Sequence, residues 1–251
     1  MMDDQSPFGR HISTQYDEEL EDIRQKLLSM GGMVERQLSD GLQALVGMDR
    51  DLGEAMVRRD VEVNALEVEI DEECTRVIAR RQPAASDLRV VIGMIKSITD
   101  LERIGDESCK LGKAAMDPAA DQGLDRALAQ GIQRLGRHVQ SMLHDALDAF
   151  ARLDAEAALT ISREESRVDD EYDALTRQLV TYIMEDPRTI QRVLGVLWSA
   201  RALERIADHA RNLCEYVVYV VEGQDIRHQS LAAAREALEL GSQGGQPGQT
   251  D

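Results

Sequence analysis

Leu101-Glu102-Arg103-Ile104-Gly105-Asp106 returns 102 residues later as Leu203-Glu204-Arg205-Ile206-Ala207-Asp208, with only one of the six positions changed. In both copies the two acids stand four apart. On a helix that spacing leaves them ~40° apart around the axis and ~6 Å along it, so they project from one face. The residues upstream show which face. Val91, Ile95, Ile98, Glu102, Asp106 and Cys109 follow one another at three-, four- and seven-residue steps. Leu197, Ala200, Glu204 and Asp208 do the same in the second copy, with Leu194 beside them. The carboxylates therefore continue an apolar stripe instead of lying opposite it.

The self-similarity reaches well beyond the motif. At an offset of 105, Gly31, Val34, Leu38, Asp40, Leu42, Ala44 and Asp49 match Gly136, Val139, Leu143, Asp145, Leu147, Ala149 and Asp154. Val63/Val168 and Ile78/Ile183 keep that offset, which becomes 102 after the loops at Gln82-Pro83 and Asp186-Pro187. A duplicated helical unit tolerates a small deletion in a loop, so the chain reads as two copies of one unit. The expected fold is all-α, two tandem three-helix bundles over 13–116 and 121–224. The arm over 1–12 reads as loose, Asp117 to Gly123 as the inter-domain linker, and the tail over 225–251 as largely disordered on its glycine-rich composition.

Within the first unit, Leu20, Ile23, Leu27, Met30, Val34, Leu38, Leu42 and Leu45 keep helical spacing, interrupted by Gly31-Gly32, a pair suited to close helix approach or a bend. Asp49 to Asp51 mark a turn. A second helix passes Met56, Val63, Leu66, Ile70 and Val77 to Pro83, and Ser86-Asp87 offer an N-cap for the third. The second unit repeats this order. Its middle helix is expected unbroken from about Ala155 to Met184, and its last from about Arg188 to Glu222.

Composition supports long helices with aliphatic cores: aromatics make up 3% of the chain, prolines number five and methionines ten. The net charge of −18 disfavours nucleic acid and anionic lipid as partners and suits cations. Three cysteines without a paired spacing predict reduced thiols and a cytoplasmic location, with Cys109 and Cys214 as small buried residues. Met1-Met2-Asp3-Asp4 has no signal-peptide character, and Val217-Val218-Tyr219-Val220-Val221 is too short to cross a bilayer.

A lone Glu-x-x-x-Asp on a helix is commonly a solvated pair. Here it is duplicated and follows the core-side stripe, where a carboxylate needs neutralising. Arg103 and Arg205 point ~100° away from the glutamates and are not assumed to pair with them. A divalent or trivalent metal ion (Mg, Mn, Fe or Zn) is the economical neutraliser, with Glu102, Asp106, Glu204 and Asp208 as its ligands and the remaining ligands unassigned. His209, directly after Asp208, is a candidate extra ligand, but the preferred reading is a surface residue, because its counterpart is Glu107.

The motifs L-E-R-I-G-D-E-S and L-E-R-I-A-D-H-A resemble the signatures of the PhoU family, accessory proteins of phosphate-specific transport. So do G-G-M-V-E-R-Q-L-S-D (31–40), I-A-R-R-Q-P-A-A-S-D-L-R (78–89), G-R-H-V-Q-S-M-L-H-D-A-L-D-A-F-A-R (136–152), Y-I-M-E-D-P-R-T-I (182–190) and G-Q-D-I-R-H (223–228). The resemblance implies tandem three-helix bundles, a homodimer, and metal held at the duplicated acids. It also implies a cytoplasmic negative regulator of phosphate uptake and of the phosphate-starvation response, not an enzyme. Its implied partners are the ATPase subunit of the phosphate ABC transporter and a PhoR-type sensor histidine kinase, with the membrane reached only through them. The sequence departs from the family pattern at Ala207, usually Gly, and at Glu107, often His. A carboxylate-bridged di-metal enzyme is the alternative. Such sites use Glu-x-x-His, and Gly105 and Ala207 stand where the histidines belong. The chain also shows no P-loop and no G-x-S-x-G elbow.

Overall fold

A computed structural model describes residues 14–117 and 126–226. The expectations for the N-terminal arm, most of the linker and nearly all of the tail fall outside these residues. Seven α-helices account for almost all of the described chain: α1 Thr14–Gly47, α2 Arg50–Arg81, α3 Ser86–Ala115, α4 Arg126–Arg152, α5 Ala155–Ile161, α6 Glu164–Glu185 and α7 Ile190–Glu222. Helices α1–α3 pack as one bundle and α4–α7 as a second. The bundles join through α3 against α7 and α1 against α4. The acid motifs thus lie on the two helices at the centre of the molecule.

The core follows from the sequence repeat. Ile23, Leu27, Met30, Val34 and Leu38 of α1 are fully buried, and so are their equivalents Leu128, Ile132, Leu135, Val139 and Leu143 of α4. The duplicated turn repeats down to its backbone. Met48 and Leu153, equivalent residues, both adopt positive φ, 52° and 51°. The aspartate after each then caps the next helix, Asp49 accepting from the Leu52 N–H and Asp154 from that of Ala157. A left-handed non-glycine residue costs roughly 1–2 kcal/mol, a cost here offset twice by the same cap.

Gly31 serves close approach, not a bend, since α1 runs through it unbroken. A methyl built there would stand 2.7 Å from Leu147 Cδ2, and one on Gly136 would stand 2.6 Å from Leu42 Cδ1. Each glycine receives the leucine equivalent to its counterpart's, so α1 and α4 cross about an approximate two-fold axis.

Two details differ from the sequence reading. The middle helix of the second unit is broken into α5 and α6. Ser162 Oγ bonds back to the Leu159 carbonyl, and the Arg163 N–H turns to Thr160, so the main chain loses its regular pairing there. Ser86 and Asp87 lie inside α3; Ala85, with φ 48°, precedes it and supplies no side-chain cap.

Candidate metal centre

Glu102 and Asp106 project from α3 toward α2, half-buried and exposed respectively. Gly105 lies on the same face. A methyl on Gly105 would stand 3.0 Å from Gln37 Oε1 and 3.4 Å from Asp60 Oδ1, so the missing side chain lets α1 and α2 bring oxygens onto the motif. Gln37 is buried; its Nε2 donates to Asp60 at 3.0 Å, while its Oε1 is shielded from water and has no donor among the described residues. Glu67 of α2 adds a further negative charge. Burial first, then Asp106, Glu67 and Asp60, pushes the Glu102 carboxyl above the usual carboxylate range. Burial, reinforced by Asp60, likewise lifts the Cys109 thiol to about 12 and leaves it protonated. Among the described residues, none of Asp60, Glu67, Glu102 and Asp106 lies within ion-pair distance of a cation.

The second cluster keeps the acids and adds arginines. Glu204 is buried and Asp208 half-buried on α7, facing Glu165 and Asp169 of α6. Arg211 donates to Glu165 and lies 3.7 Å from Asp208, while Arg201 donates to Glu204 Oε1 at 2.7 Å. Glu204 Oε2 remains shielded without a donor among the described residues. Burial still pushes Glu204, Glu165 and Asp169 upward, against the downward pull of the arginines. Ala207 stands where the first cluster has Gly105.

As they stand, no three described His, Cys, Asp or Glu side chains converge closely enough to hold an ion. Closing a cation into the first cluster requires Asp60, Glu102 and Asp106 to turn inward. Their chemistry fits one: the groups are acceptors only, and the Gln37 carbonyl oxygen is unsatisfied beside them. The second cluster fits less well, because Arg211 and Arg201 already supply positive charge to it.

The four residues singled out from sequence thus fall into two clusters, one per bundle, each met by the middle helix of its own unit. Asp60 and Glu165 escaped sequence reading, although the offset of 105 that aligns Val63 with Val168 also aligns them. They were hidden among the many acids of α2 and α6. His209 corrects the surface reading. It is buried, 7% exposed, with Nδ1 2.6 Å from Asp100 Oδ1 across the α3–α7 interface. Asp100 also accepts from Tyr216 Oη at 2.7 Å and Asn212 at 3.2 Å. Arg205 turns from Glu204 to bond Glu107 at 2.8 Å.

Comparison with known proteins bears directly on this arrangement. The PhoU domain model matches residues 27–115 and again 132–217, once in each bundle. The chain belongs to the PhoU family. It is 48% identical over 229 residues to the phosphate-specific transport system accessory protein PhoU homolog of Pseudomonas aeruginosa, covering 91% of this chain and 94% of that protein. The phosphate-specific transport system accessory protein PhoU of Escherichia coli strain K12 is 50% identical over 220 residues, 88% of this chain and 90% of that one. The crystal structure of PhoU from P. aeruginosa superposes with a TM-score of 0.81 over 84% of this chain and all of its own, at 48% identity. The phosphate transport system regulatory protein PhoU from Streptococcus pneumoniae gives 0.77 at 32% identity, over 84% of this chain and 99% of its own. The all-α family fold is therefore this chain's fold. No helix among the described residues is long and apolar enough to cross a membrane.

Proposed function

We propose that this chain is a cytoplasmic negative regulator of phosphate uptake and of the phosphate-starvation response. It works as an adaptor between the ATPase subunit of the phosphate ABC transporter and a PhoR-type sensor histidine kinase, as a homodimer and without catalysing a reaction. One observation carries the reading: near-full-length identity of 48–50% to accessory proteins named for phosphate-specific transport. With net charge −18, free phosphate is repelled over most of the surface, so phosphate status reaches the chain through the transporter.

In this reading a divalent cation is held at the duplicated acids. Glu102 and Asp106, with Asp60 and the Gln37 carbonyl oxygen, bind it more tightly. Glu204 and Asp208, with Glu165, bind it weakly, because Arg211 must first be displaced. Once bound, the ion supplies the positive charge that the first cluster lacks and ties α3 to α2.

The test is complementation. In a bacterium deleted for its own PhoU, a phosphate-starvation promoter fires in phosphate-rich medium. Expression of this chain restores repression if the reading is right, and unrelieved expression with the protein present and folded contradicts it.

A further inference from the structure

The approximate two-fold axis pairs two grooves with opposite fates. Val90, Gly93 and Met94 of α3, with Phe150 and Leu153 of α4, form a groove closed by Val220 near the end of α7. A methyl on Gly93 would stand 2.5 Å from Val220 Cγ2, and the residual cavity is about 10 Å³. The equivalent residues Arg192, Gly195, Val196, Leu45 and Met48 line a cavity of about 330 Å³, and among the described residues nothing lies within 4 Å of a methyl on Gly195. Helix α7 continues to Glu222 and sets its Val220 over Gly93, whereas α3 ends at Ala115.

The side chains around the open groove changed with it. In the closed groove Lys96 lies over the rings of Tyr216 and Tyr219, 5.6 and 4.8 Å from their centroids, on the covering stretch of α7. The equivalent of Lys96 is Trp198, the chain's one tryptophan, 66% exposed. The equivalent of Tyr216 is Ala114, too small to cover it. The rim is basic in an acidic protein: Lys110, Lys113 and Arg192 line it against one acid, Asp117, although Lys110 is already paired with Glu107. Lys113 forms no ion pair among the described residues, and Arg192 Nε is shielded without an acceptor.

We propose that this groove docks a helical segment of a protein partner. The segment is acidic on its flanks, to meet Lys113 and Arg192. It carries a small or β-branched apolar residue seated over Gly195 and lays its face against Trp198. The closed half supplies the template for the occupant, a helix end with valine over glycine, and the rim charge sets its sign. An exposed tryptophan beside arginine is the kind of anchor on which interfaces concentrate their affinity. The inference stands on the fold alone, so it holds or fails independently of the phosphate reading.

The probe is a phage-displayed library of helical peptides randomised along one face, panned against the full chain and counter-selected against Gly195→Leu. That variant has open space for its side chain, and circular dichroism verifies its fold. Enriched sequences should carry Val, Ile or Ala flanked by Asp or Glu. A synthetic survivor should shift Trp198 emission to the blue and weaken at least ~10-fold with Lys113→Glu plus Arg192→Glu. The proposal is overturned if no sequence survives counter-selection, or if survivors are neutral or basic. It is equally overturned if inorganic phosphate or AMP displaces the peptide, which marks a small-anion site. Self-association of the wild type that Gly195→Leu abolishes would give the groove to a second copy of the chain and also overturn it.

Discussion

The first acid cluster is short of positive charge and the second is not, although both descend from one repeated unit. Cys109 occupies in the first the position that Arg211 holds in the second, and Thr99 the position of Arg201. Two substitutions thus separate a cluster that must find its counter-ion outside the chain from one that carries its own. The same divergence recurs along the α3–α7 interface. Asp100 and His209 form a buried pair on one side of the pseudo-axis, and Ala202 and Glu107 are their equivalents on the other. Glu107 is buried too, but answers to Lys110 and Arg205, both about half exposed. Duplication preserved the scaffold and left the charges free to specialise.

The comparison breaks most visibly at that interface. His209→Ala removes one of the three side chains that hold buried Asp100 and should destabilise the fold by about 1.5–3 kcal/mol. Glu107→Gln, whose cations remain solvated, should cost no more than about 1 kcal/mol. Urea denaturation measures both, and equal costs would show that the two sides are not differentiated as described.

The grooves give the next effect. Gly93→Ala forces Val220 aside and should destabilise by about 1–3 kcal/mol. Gly195→Ala fills open space and should stabilise by about 0.5–1 kcal/mol through helix propensity alone. Thermal melts that move in the same direction for both variants would contradict the open-and-closed distinction.

The smallest effect concerns pH. Glu102 has its folded pKa raised by burial and by Asp106, Glu67 and Asp60. A raised carboxyl stabilises fully below its unfolded value, near ~4.3, and loses that contribution as pH climbs through the folded value. In metal-free protein, Glu102→Gln should therefore gain on the wild type as pH rises from about 4 to about 7. Added divalent cation should reverse the gain. A difference in Tm that stays constant with pH would mean that Glu102 is not strained by its surroundings.

The architecture was legible because its signals are periodic and doubled. Leu27 and Ile132, or Asp49 and Asp154, announce their roles twice at one offset. The helix break at Ser162 was not legible, since a serine at a helical position signals nothing until its hydroxyl takes the Leu159 carbonyl. At the site, sequence put Glu102 and Asp106 on α3 and Glu204 and Asp208 on α7, but the apolar stripe buries only Glu204; Glu102 and Asp208 are half-buried and Asp106 is exposed, because each stripe reaches the edge of its bundle there. Sequence missed Gln37, whose value lies in one unsatisfied oxygen visible only after α1 packs against α3. It missed Arg211 for a related reason: a cation four residues from Glu215 and three from Asp208 looks like a surface pair until Glu165 arrives from α6. His209 was misplaced because its counterpart Glu107 suggested a polar surface, whereas the interface between the halves buries both.

Calorimetric titration of Mn²⁺ into metal-free protein tests the central asymmetry most directly. Glu102→Gln plus Asp106→Asn should weaken the tighter binding event by at least ~10-fold, while Glu204→Gln plus Asp208→Asn leaves it in place. Equal losses from the two double variants, or a loss confined to the second, would contradict the account.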